Sequence, residues 1–157
     1  MLKTITVIGR RYITDFNKQI ADTGLVGLHA ADKQGEGILN LTGNNTYQGS
    51  SIAVQGTLQI DGSVAGDAYS TGSGTITGKG TVNGSLYNDG RVQAGSYGSI
   101  ENMQVRGGFN GSGTILLNTD GKKYNCLNVD GDAISTGWRL KRLIVLPRSQ
   151  RHIYYCE

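Results

Sequence analysis

A glycine-led triplet with an apolar third residue recurs along this chain. It appears as Gly56-Thr57-Leu58, Gly62-Ser63-Val64, Gly74-Thr75-Ile76, Gly80-Thr81-Val82, Gly84-Ser85-Leu86, Gly90-Arg91-Val92, Gly98-Ser99-Ile100 and Gly113-Thr114-Ile115. Three of these triplets begin at an even step, at positions 62, 80 and 98, and the pair at 56 and 74 repeats that step. Between the glycines apolar residues alternate, as in Leu39 and Leu41, Ile52 and Val54, Leu58 and Ile60. Two-residue spacing places such residues on one face of a strand. A repeat of about 20 residues, too short to bury a core by itself, constrains the chain to a coil that climbs one rung per repeat. Each rung pairs through its backbone with the rungs above and below at about 4.8 Å, and about three or more must stack to be stable. The fold expected is all-β: a right-handed parallel β-helix over residues 35–137, its rhythm densest between 35 and 117.

Composition narrows the class further. Glycine supplies 25 of 157 residues and proline one. Glycine does not fall at every third position, which excludes collagen. The Ile, Val, Leu and Tyr between glycines favour an ordered chain over a flexible linker. Charge is uneven. Residues 1–20 hold four bases and one acid, residues 138–157 five bases and one acid, and the middle of the chain is acidic. Two basic ends around an acidic centre do not make the clustered basic and aromatic surface that nucleic acid requires. Cys126 and Cys156 are distant in sequence, without Cys-x-x-Cys or Cys/His ligand spacing. That spacing favours two unpaired thiols over a disulfide, and excludes a zinc site. No stretch approaches the ~18 apolar residues of a membrane-spanning helix. The apolar run Ile5 to Ile8 is shorter than the ~7–15 residues of a signal-peptide core, so this chain is not expected to be exported by itself.

The segments differ in character. Residues 1–34 read as a connector or cap, in which Ile8, Tyr12, Phe16 and Ile20 step by four and predict a short helix or an irregular segment. Residues 35–137 form the repeat region, with Asp61-Gly62, Asn83-Gly84, Asp89-Gly90 and Asn110-Gly111 at its corners. These residue types tolerate left-handed backbone angles, which is the reason sequence offers for their presence. Leu127, Val129 and Asp130-Gly131 extend the pattern by a further rung. Residues 138–157 break it. They hold no glycine, the sole tryptophan (Trp138) and the sole proline (Pro147). This basic tail reads either as a terminal cap or, the preferred reading, as a remnant that does not belong to the fold.

Residues 35–61, GEGILNLTGNNTYQGSSIAVQGTLQID, carry a more specific pattern. Gly35, Gly37, Leu39, Leu41, Gly43, Asn45, Tyr47, Gly49, Gly56, Thr57 and Leu58 fall where the autotransporter-associated β-strand repeat of Gram-negative passenger domains has its fixed residues. Ser50-Ser51 departs from the commoner Gly-Thr or Thr-Thr pair. The chain resembles that family here, more weakly from 62 to about 136, and not at all in 1–34 or 138–157. The resemblance implies a β-helical stalk, secreted or held at the outer-membrane surface, threaded outward by a C-terminal translocator barrel as its partner. A host surface protein or glycan is the further partner it suggests. It implies that this chain is a piece of a larger protein, one whose parent resembles in some members a subtilisin-like serine protease. This piece lacks the Gly-Thr-Ser nucleophile segment, and His29 sits in Leu-His-Ala-Ala without a glycine-rich context.

No catalytic, cofactor or metal residue is assigned. His29 and His152 are the sole imidazoles. Asp61, Asp67, Asp89 and Asp132 could meet on one face as a carboxylate pair, although turn formation accounts for them without catalysis. Asp130-Gly131-Asp132 lacks the acidic ladder of a calcium loop. Gly78-Lys79-Gly80-Thr81 lacks the Gly-x4-Gly-Lys-Ser/Thr string of a phosphate loop. Sequons at Asn40, Asn44, Asn83 and Asn110 arise easily in such a composition. Tyr47, Tyr69, Tyr87 and Tyr97 could form a stacking platform for glycans, or serve as corner packing. The expected role is a structural stalk that spaces or presents a surface module and aids adhesion, with neighbouring rungs as its contacts. The alternatives are a β-helical polysaccharide-active enzyme or glycan binder, and a protease autotransporter fragment without its catalytic domain.

Overall fold

The computed structural model describes residues 3–8, 13–16, 28–96, 99–116, 125–135 and 153–155, with side chains described within 32–135. Among the described residues there are strands and no helix. The strands are β1 (Lys3–Ile8), β2 (Ile13–Phe16), β3 (Leu28–Gln34), β4 (Ile38–Leu41), β5 (Asn44–Asn45) and β6 (Ser50–Ile60). They continue as β7 (Ser63–Val64), β8 (Ala68–Gly78), β9 (Thr81–Val82), β10 (Leu86–Asn88), β11 (Arg91–Ala94) and β12 (Met103–Val105). The last are β13 (Phe109–Gly111), β14 (Thr114–Leu116), β15 (Leu127–Val129), β16 (Ala133–Ser135) and β17 (Ile153–Tyr155).

All of these strands but β17 stack in parallel as a β-solenoid with three sides. The first side runs β1, β3, the start of β6, the start of β8, β10, β13 and β16. The second runs β2, β4, the end of β6, the end of β8, β11 and β14. Because β6 and β8 bend through the corner without breaking, these two sides form one 11-stranded sheet. The third side, a 6-stranded sheet, holds β5, β7, β9, β12 and β15, closed by β17.

Register explains why the alternation in sequence is strict. On the second side Leu39, Leu58, Ile76, Val92 and Ile115 stand above one another and face inward. Val64, Val82, Val105 and Val129 do the same on the third side, all at 2% exposure or less. On the first side the inward column is Ser51, Ala68, Leu86, Phe109 and Ala133. Each buried Val, Leu or Ile contributes roughly 1.5–3 kcal/mol. A slip of one residue would turn every column outward, so burial itself fixes the pairing.

Positive φ does account for corner glycines such as Gly35, Gly37 and Gly56, at +76°, +100° and +70°, but others are glycine for a different reason than the sequence suggested. Gly62, Gly84 and Gly90 do not have left-handed backbone angles. They stand where one coil passes over the next. A Cβ on Gly62 would lie 2.1 Å from the Gly43 carbonyl oxygen, and one on Gly80 would lie 2.0 Å from that of Gly62. Strand spacing of about 4.8 Å leaves no room there for a side chain.

Three expectations are corrected. The stripe of every fourth residue through Ile8 and Phe16 is not helical: β1 and β2 pair in parallel with β3 and β4, and in β1 Ile5 and Val7 alternate with Thr4 and Thr6, the two-residue period of a strand. Tyr12 and Ile20 lie outside the described residues. The even step of the triplets does not continue to 98. Ser63 pairs with Thr81, but Thr81 pairs with Gln104, so the rung begins after the Gly98-Ser99-Ile100 triplet and not at it. The described residues between Ala94 and Met103 form instead an insertion at one corner. Finally, Cys126 is not a free thiol: it is disulfide-bonded, and Cys156 is the sequence's other cysteine. Cys156 directly follows β17, whose antiparallel pairing sets Leu127 against Tyr155. Spacing along the chain carried no information about this, since pairing depends on how far the strands return in space.

Candidate functional site

The four aspartates singled out in the sequence occupy three different edges of the solenoid. Asp61 lies between the second and third sides. Asp67 and Asp132 lie between the third and first, and Asp89 between the first and second. Asp67 and Asp132, which share an edge, stand three coils apart, so the topology does not assemble these aspartates into a carboxylate pair. Each has local surroundings instead. Asp67 accepts the Ser85 backbone N–H at 2.7 Å, and Asp89 accepts the Ser112 hydroxyl at 3.3 Å. The neighbouring Asp130 accepts the Gln104 side-chain amide at 2.8 Å. No group of three or more metal-ligating side chains occurs among the described residues. His29 lies on β3 and His152 outside the described residues. Asn40 is buried and Asn83 donates to the Val64 carbonyl, which gives these two sequon asparagines structural roles.

Among the described residues, Asp61 is the centre of the richest polar cluster. One of its oxygens accepts from the side-chain amides of Asn40 at 3.0 Å and Gln59 at 2.6 Å. The other accepts from the Ser96 hydroxyl at 3.1 Å and, weakly, the Lys79 N–H at 3.4 Å. Ser96 belongs to the insertion between β11 and β12, which turns back over the outside of the second side. Thr77 donates to the Gly95 carbonyl at 2.6 Å, and Lys79 pairs with Glu101 at 3.0 Å. The hydrogen bond and charge of Glu101 raise the Lys79 pKa, and Lys79, with Ser99, lowers that of Glu101. The pair is exposed and therefore contributes little to stability. Thr77 and Gln93 point outward from their strands yet are buried, in keeping with a strap laid across this side. Sequence reasoning missed the strap because its Gly98 triplet imitated a rung.

Lys33 was also missed. It is fully buried, and its ammonium donates to the carbonyls of Gln34 at 3.0 Å, Gly35 at 2.7 Å and Gln55 at 3.5 Å. Burial lowers its pKa from the usual lysine value. The ammonium thus closes the first corner of the β3–β4 coil, donating to main-chain carbonyls where the strands bend.

The tyrosines divide. Tyr47 is a core residue at 0% exposure, hydrogen-bonded to the Ser51 hydroxyl, and burial raises its pKa. Tyr97 lies outside the described residues. Tyr69 and Tyr87 are neighbours on the outer surface of the first side, their rings stacked at 4.6 Å with planes 10° apart. Burial, then the Asp67 charge and Tyr87, raise the Tyr69 pKa, opposed by a hydrogen bond with Ser50. Of the platform read from sequence, this outward pair is what the fold brings together.

Residues 32–60 match the family model described as passenger-associated-transport-repeat. The matched stretch runs from the end of β3 through β6, and so includes buried Lys33, the Gly35–Gly37 corner, Tyr47 and the first two members of an interior column, Leu39 and Leu58. No curated protein matches the chain.

Proposed function

We propose, from the passenger repeat at residues 32–60, that this chain is a length of autotransporter stalk. It would space or present a module away from a Gram-negative cell surface, with its outer faces available for adhesive contacts. The family implies a secreted or cell-surface location and a parent with a translocator domain. The observation that carries the reading is register. The matched segment stacks in unbroken parallel pairing on strands outside the match, from β4 through β6 and β8 to β11 and β14. A repeat that continues beyond its own signature is what a stalk needs, because each added coil extends reach by about 4.8 Å without a hinge. The force-bearing parts are the interior columns and the glycine corners. Formation of one coil offers a template for the next, which would favour outward movement of a chain emerging unfolded. The separated aspartates do not support the polysaccharide-cleaving alternative.

Surface display tests this. The chain would be placed between an export signal and a translocator barrel, with an epitope at its distal end. Exposure of the epitope on intact cells, reduced when the core is broken by Ile76→Asp, supports the stalk role. Equal exposure with the broken core refutes it.

A further inference from the structure

The outward column of the first side reads Ile52, Tyr69, Tyr87, Asn110, Ile134. Two coplanar rings lying side by side could not have centroids 4.6 Å apart, so Tyr69 and Tyr87 are face to face, with their planes across the solenoid axis. Tyr69 covers one face of Tyr87. The other face looks along the axis over Asn110, a shorter and exposed side chain. Beyond it Ile134 stands 56% exposed. The column is therefore notched at Asn110, with an aromatic wall on one side and an aliphatic wall on the other.

We infer that this notch binds one neutral pyranose ring of a glycan. Its walls stand on strands two spacings apart, about 9.6 Å. Two van der Waals contacts on either side of a flat ring need about 7–8 Å, and the remaining ~2 Å suits the pucker of a chair. The floor is an amide that can donate to and accept from sugar hydroxyls. Asp89 follows β10 directly and Asp132 immediately precedes β16; both are exposed acceptors at the ends of the notch. Their charge complements hydroxyl donors and opposes uronates or phosphates. The inference deepens the adhesive half of the proposed function and rests on the exposure of this side. The stalk role stands or falls separately, because the test uses the purified chain without display.

Saturation-transfer NMR on the full chain with methyl β-galactopyranoside, methyl β-glucopyranoside and galacturonate provides the test. Transfer to ring C–H protons of at least one neutral glycoside is expected, with none to galacturonate. Tyr87→Ala should weaken it roughly two- to tenfold, and Tyr87→Phe should preserve it. Asn110→Tyr, which fills the notch by extending the tyrosine column, should abolish transfer while leaving the far-UV spectrum unchanged. Absence of transfer to both neutral glycosides, undiminished transfer in both the Ala and the Asn110→Tyr variants, or preference for galacturonate would overturn the proposal.

Discussion

Replacing Gly80 by alanine isolates the cost of coil-on-coil contact. Gly80 has no left-handed angle, so alanine is conformationally acceptable there. The new methyl group, however, would lie 2.0 Å from the Gly62 carbonyl oxygen and 2.7 Å from that of Ile60. Restoring ordinary contact requires a shift of ~1.2 Å or more, a quarter of the strand spacing. The bonds from Gly80 N–H to Ile60 at 2.8 Å and from Thr81 N–H to Gly62 at 2.9 Å cannot survive that movement. Each costs about 1 kcal/mol net, and more where a buried group is left without a partner, so the loss comes to about 3–5 kcal/mol. Gly72 is the converse control. Its φ is +58°, but the nearest atom to an added Cβ is 3.5 Å away, so alanine there carries only the left-handed penalty of about 1–2 kcal/mol. Urea unfolding followed by far-UV circular dichroism should rank wild type, Gly72→Ala and Gly80→Ala in that order of stability. If Gly80→Ala cost no more than Gly72→Ala, the contact argument for corner glycines would be wrong.

Truncating the middle of an interior column with Ile76→Ala should cost about 2–5 kcal/mol in the same assay, because Leu58 and Val92 cannot close over the gap while held in register. Tyr47 should make the protein alkali-sensitive. Its folded pKa is raised, so above the ordinary value of 10.0 the unfolded chain loses the proton first and stability falls as pH rises. Lys33, with a lowered pKa, acts in the opposite sense below 10.5. Tyr47→Phe should remove the tyrosine part of the alkaline loss, at a cost near neutral pH of about 1 kcal/mol from the stranded Ser51 hydroxyl, measured by unfolding at pH 7 and above pH 10. Thiol titration of the unreduced native chain should find no reactive cysteine, and Cys126→Ser should lower stability by about 3–4 kcal/mol through release of the enclosed loop.

The solenoid was legible because its two signals are local. Leu39, Leu58, Ile76 and Val92 announce a buried strand face by alternation, and the glycines mark where strands end. The even step was real from Thr57 to Thr75 and from Ser63 to Thr81. It failed at 98 because an insertion can carry the same triplet without pairing, and nothing local separates the two cases. The reason for Gly62, Gly84 and Gly90 was misread, since backbone freedom and lack of space call for the same residue. Buried Lys33 was invisible because a lysine between Asp32 and Gln34 reads as exposed, and its acceptors include the remote Gln55. The tyrosine pair was half legible. Tyr69 and Tyr87 keep step with the repeat, whereas Tyr47 falls on the inward side of a corner that sequence could not orient.

The most direct test of parallel stacking is a distance across the first side. Ile52 and Ile134 are remote in sequence but only four strand spacings apart in the column through Tyr69, Tyr87 and Asn110. With spin labels at Ile52→Cys and Ile134→Cys and the Cys126 disulfide intact, double electron–electron resonance should give a narrow distribution consistent with a backbone separation of about 19 Å. A broad distribution, or one centred beyond about twice that distance, would contradict the stacked solenoid.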